Sequence, residues 1–156
     1  MDDRTNSIAG YSRKHPVKEL AMGRAGRLAA VSEEAVERLV HCFYAKVRGD
    51  GELGPVFEAA IAPEQWSAHL ATMCDFWSSL MLATGRYKSN PLAAHTRVEG
   101  ITPELFERWL ELFGETVDEI FEEGVGATFR AKAERIAQSF QIGLFYRPEM
   151  DRPKTA

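Results

Sequence analysis

From Ser32 to Phe145 apolar side chains return at steps of three and four residues, and no stretch alternates as a half-buried strand does. That periodicity restricts the chain to an all-α fold. Ser32 is an N-cap, Glu33 and Glu34 suit the positive end of a helix dipole, and Val36, Val40, Phe43 and Val47 form the stripe that follows until Gly49-Asp50-Gly51 stops it. A loop with Leu53, Pro55 and Phe57 leads to Pro63, the first position of a second helix with Trp66, Leu70, Met73, Trp77, Leu80 and Met81 inward, ending near Gly85. Thr102 and Pro103 start a third, with Phe106, Trp109, Leu110, Phe113, Val117, Ile120 and Phe121, ending at Gly124. A fourth runs from about Ala127 to Phe145, and Pro148 forbids its extension.

The chain has 156 residues, 45% of them apolar. That suits one domain able to bury roughly two-thirds of its unfolded surface. Residues 1 to 31 carry six Lys or Arg against three acids and are read as a flexible basic extension; 32 to 147 form the domain and 148 to 156 a tail. A net charge of -4 removes the main electrostatic reason to expect nucleic acid or an anionic membrane as partner. No run approaches the ~20 apolar residues of a membrane helix, and Arg24 and Arg27 break the most apolar part of the extension, against an export signal. Cys42 and Cys74 fall in helical patterns and are expected as free, small core residues, in keeping with a reducing, cytoplasmic setting. A monomer is the default expectation.

NPLAAHTRVEGI, residues 90 to 101, fits none of the long helices. Pro91 and Gly100 leave it about two turns, too few to be stable alone, so a ligand or the core must hold it. His69 falls on the apolar face of its helix, three residues after Trp66 and four before Met73. Tyr44 and Trp109 are set within apolar stripes and can turn a donor inward. A plain up-down bundle would need only to satisfy these polar atoms, and a zinc site from His69 and His95 would have to recruit Asp75 or Glu99. An iron porphyrin would use the whole set: one imidazole as axial ligand, and donors to a diatomic ligand carrying partial negative charge on the other side.

FYAKVRGDGELGPVF (43 to 57), WSAHLATMCDFWSSL (66 to 80), YKSNPLAAH (87 to 95) and FERWLELFGETV (106 to 117) occur in an order and spacing that resembles the truncated haemoglobins of group III, over residues 33 to 146. The resemblance implies a globin-like, two-over-two helical sandwich around haem b. It implies His95 as the proximal iron ligand, Tyr44, His69 and Trp109 around the distal ligand, Phe57 packed on the porphyrin and Met73 in the distal wall. Members commonly have glycine where Ser89 stands, and TRVEGI is less apolar than the family suggests. Arg97, two residues past His95, is the candidate partner for a haem propionate, with Arg86 and Lys88 also at that edge.

Such a protein would bind O2, NO or CO at ferrous iron. A crowd of distal donors suits O2/NO or peroxide redox chemistry, as in a nitric oxide dioxygenase or a peroxidase, better than bulk transport. The sequence has no dinucleotide fingerprint, so electrons would come from a separate reductase. A cofactor-free four-helix module that binds a partner protein through its acidic surface is the alternative. His15 and His41 are read as surface or structural groups.

Overall fold

The computed structural model describes residues 26 to 146. His15, the rest of the extension before residue 26 and the tail from 147 onward lie outside the described residues. Helix α1 spans Glu33–Gly49, α2 Leu53–Ala60, α3 Trp66–Leu82, α4 Pro91–His95, α5 Pro103–Ile120 and α6 Glu123–Phe145, with a 3-10 turn at Pro63–Gln65 leading into α3.

The start of α1 follows from its cap. Ser32 Oγ accepts from the Ala35 amide at 3.1 Å, Glu33 and Glu34 occupy the first turn, and Lys46 and Arg48 the last. At the other end Asp50 does three things. Its Oδ2 accepts from the amides of Glu52 and Leu53 at 3.1 and 3.0 Å, and its Oδ1 takes Arg108 of α5 at 2.8 Å. The Arg108 bond, helped by the Leu53 amide, holds the Asp50 carboxyl below the usual carboxylate range.

Two expectations need correction. The segment with Leu53, Pro55 and Phe57 is helix α2 and not a loop. Pro55 sits in its first turn, where an amide has no intrahelical partner to lose. Gly54 lets α2 press against the end of α1: a Cβ there would lie 2.8 Å from the Arg48 carbonyl oxygen. In addition, α6 begins at Glu123, so Gly124 belongs to its first turn and does not end the preceding helix, which stops at Ile120. Gly126 and Gly114 mark close approach between these two helices. A Cβ on Gly126 would stand 3.1 Å from Val117 Cγ1, and one on Gly114 2.9 Å from an Arg130 guanidinium nitrogen.

Smaller differences have local causes. Ala83 takes the left-handed conformation (φ 55°) that ends α3, two residues before Gly85. Thr102 has cap geometry without a side-chain bond. Cys42 is exposed, against its reading as a core residue, because it lies off the stripe carried by Leu39, Val40 and Phe43; Cys74 is half-buried, and both are free. His41 is exposed, as expected.

The helices form two pairs, α1 with α3 and α5 with α6, laid against each other through α1 and α5. That is the two-over-two arrangement, and among the described residues it contains no strand. The seam is aromatic: Phe43, Phe113, Phe121 and Phe129 are fully buried, and Phe113 stacks on Trp77 at 4.8 Å and on Trp109 at 5.3 Å. Ahead of α1, Leu28 forms an isolated parallel bridge to Phe121, and Leu28 and Val31 pack against the core. No helix among the described residues is long and apolar enough to cross a membrane.

Replacing Asp50 with alanine removes the acceptor of the Glu52 and Leu53 amides and the partner of Arg108 together, with an expected loss of about 2 to 3 kcal/mol at neutral pH in urea unfolding. Because the folded state lowers this carboxyl's pKa, its contribution is complete above about pH 4 and fades as pH falls through the lowered value. The two proteins should therefore converge in stability on acid titration.

Candidate functional site

Between the α1–α3 pair and the layer of α4, α5 and α6 lies a cleft of about 310 Å³. Tyr44 from α1, Phe57 from α2, His69 and Met73 from α3, His95 from α4 and Trp109 from α5 all line it, so five helices supply six of the seven side chains singled out in the sequence. Arg97 does not line it and is exposed on the segment after α4. Apart from Tyr44, the two imidazoles and the indoles of Trp77 and Trp109, the lining side chains are hydrocarbon or thioether.

Each polar group is held by rings. Tyr44 stands edge-on to Phe43 at 5.0 Å and to His69 at 5.2 Å, the latter at 90°. Trp109 is nearly parallel to Phe113, 7° apart, and meets Phe43 at a right angle. Burial pushes the Tyr44 phenol well above the ordinary tyrosine range, so it remains an O–H donor at any physiological pH. His69 Nε2 is buried and has no hydrogen-bond partner. Burial first, and the nearby His95 imidazole second, hold its pKa below the ordinary histidine value, so the ring is neutral near pH 7.

His95 is arranged differently. Its Nδ1 lies 2.6 Å from the Pro91 carbonyl oxygen. A carbonyl can only accept, so Nδ1 carries a proton, and in the neutral tautomer this fixes, Nε2 holds the lone pair. Asn90 caps the same short helix by accepting from the Ala93 amide at 3.1 Å. A neutral imidazole with its second nitrogen tied to a backbone carbonyl is the donor that haem iron takes, and an apolar cleft with an orphaned polar nitrogen on its other wall suits a flat macrocycle with a small ligand.

The zinc reading finds no ligand set. Asp75 is taken by Arg86 at 3.1 Å, and among the described residues no group of three or more His, Cys, Asp or Glu side chains could hold a metal ion. Arg86 itself is spent on Glu33, Asp75 and Ser78. Two neighbours of the site went unrecognised in the sequence. Phe140 of α6 lies 4.7 Å from the His95 ring, and Trp66 is buried beside His69 with Nε1 unpartnered and the Arg48 guanidinium 4.4 Å over its ring. Both belong to helical stripes, and stripe position tells only that a residue points inward.

No family model matches the chain. A group 3 truncated hemoglobin of Campylobacter jejuni is 34% identical over 121 residues, which is 76% of this chain and 95% of that protein. The crystal structure of a group III truncated hemoglobin from Campylobacter jejuni superimposes with a TM-score of 0.73 at 34% identity, again covering 76% of this chain and 95% of the other. With the two helix pairs and the cleft between them, these similarities place the protein: the chain belongs to the group III truncated haemoglobins.

Proposed function

We propose that the cleft would hold a non-covalent haem b, with His95 Nε2 as the iron ligand and Tyr44, His69 and Trp109 as the side chains that would meet a bound diatomic ligand. The observation that carries this reading is the Nδ1 bond to Pro91, which aims the other nitrogen of a neutral His95 ring, Nε2, at a cleft whose walls are mostly apolar. Neither Cys42 nor Cys74 lines the cleft, which favours a cofactor held without a thioether link. The iron, when bound, supplies reversible binding of O2, NO or CO and one-electron redox chemistry.

The chain's part is to bind, orient and exclude water. Phe57 and Met73 give the macrocycle apolar contact, and the hydrocarbon lining keeps the donors in a medium where a hydrogen bond counts for more than in water. Tyr44 and Trp109 are fixed by their ring contacts, so their O–H and N–H groups lose little freedom on meeting a ligand. His69 is less enclosed than Tyr44 and is the residue able to swing and admit a ligand. Donors of this number favour retention over release. The function that fits is O2/NO or peroxide redox chemistry, carried out by a cytoplasmic monomer supplied with electrons by a separate reductase, with Arg97 free to meet a propionate.

His95→Ala should purify without a Soret band, and imidazole added to the buffer should restore it by occupying the emptied position. A variant with full haem and an unaltered spectrum would remove His95 from the proximal role.

Tyr44→Phe and Trp109→Phe should each speed O2 release about five- to a hundredfold, the loss of roughly 1 to 3 kcal/mol of charge-assisted hydrogen bonding. CO, which carries little charge when bound, should be released at nearly parental rates. His69→Leu should act mainly on the rate of ligand access. Flash photolysis and stopped-flow mixing measure all three, and equal effects on the two gases would mean that bulk, not hydrogen bonding, organises the pocket.

A further inference from the structure

Helix α4 has five residues and packs chiefly against α6. Two close contacts mark that interface. The His95 ring lies 4.7 Å from Phe140 at a tilt of 45°, and Leu92 lies over Gly143, where a Cβ would come within 2.7, 2.9 and 3.3 Å of Leu92 Cδ2, Cδ1 and Cγ. Leu92 and His95 are three apart on α4, and Phe140 and Gly143 are three apart on α6, so each pair shares one helix face. Glycine inside a helix costs up to about 1 kcal/mol relative to alanine, and Gly143 is two residues short of the end of α6. The close seating of Leu92 is what that cost obtains.

From this we infer that Gly143 and Phe140 are positioning residues for the proximal histidine: together they form a two-point seat that sets the height and tilt of the His95 ring. The inference rests on His95 being the iron ligand. A methyl at 143 reaches the Leu92 branch carbon as well as its methyl groups, so rotating one methyl group does not relieve it. Either Leu92 leaves the seat or α4 moves with it, and in both cases the packing under His95 changes. Neither Gly143 nor Leu92 lines the cleft, so any effect on the iron bond has to travel through α4.

The test uses the haem-loaded ferrous protein. Gly143→Ala should shift the iron–histidine stretching band in resonance Raman and speed haem loss to excess apomyoglobin by roughly fivefold or more, with helix content by circular dichroism unaltered. Adding Leu92→Ala in that background should return both towards the parental values, a rescue that general destabilisation would not produce. A single variant with parental band and parental haem loss overturns the seat, as does a double variant no better than the single one. Should Gly143→Ala lose helix content, Phe140→Leu weakens the other point without adding volume, and parental behaviour there overturns the inference equally. Absence of the stretching band from the parent protein would instead sink the ligand assignment of His95.

Discussion

Phe43 meets three rings at once. It stands edge-on to Tyr44 of its own helix and to Trp109 and Phe113 of α5, at 5.0, 5.4 and 5.3 Å, and is itself 1% exposed. The contact between the two helix pairs passes through this residue, and so do the orientations of two of the cleft's donors. Edge-to-face contacts constrain angle as well as distance. Packing the core and aiming the pocket are therefore one operation, achieved by burying a hydrocarbon ring with no polar atom to satisfy.

Polar interactions serve a different end, which is to fix connections. Asp50 ties the α1–α2 turn to α5 through Arg108, and Ser78, Thr84 and Arg86 hold the strand of chain that leaves α3. Ser79 Oγ accepts from the Tyr87 amide at 3.0 Å on the same path. These bonds lead the backbone to Asn90 and Pro91, where the cap and the His95 bond take over. The short helix is thus delivered by a hydrogen-bonded connector and seated by apolar contact against α6.

The long helices could be read from the sequence because their signals are local: Ser32 as a cap, Pro103 at a first turn and the three- and four-residue stripes all act within one turn. Helix α2 was not readable, since Gly54 and Pro55 look like breakers until the Arg48 carbonyl that demands a glycine is in view. Gly124 misled because a glycine in the first turn of α6 looks, from the sequence, like the stop of the helix before it. In the site, Tyr44, Phe57, His69, Met73, His95 and Trp109 were legible as residues whose chemistry was at odds with their stripe, or as parts of family motifs, and they do converge on one cleft. Phe140 was not, because its chemistry suits a core position perfectly well. Arg97 was chosen by nearness in sequence alone, and it stands outside the cleft wall.

Arg130 and Gly114 are joined more closely than a hydrogen bond suggests. The guanidinium donates to the Gly114 carbonyl at 3.1 Å, pairs with Asp118, and fills the volume a side chain at 114 would take. The long side chain of one helix thus serves as the missing side chain of the other. Over evolutionary time the two sites should drift as one unit, a bulkier residue at 114 being accepted only where 130 has first become short, so the pair would be visible as correlated change among homologues even though neither residue touches the cleft.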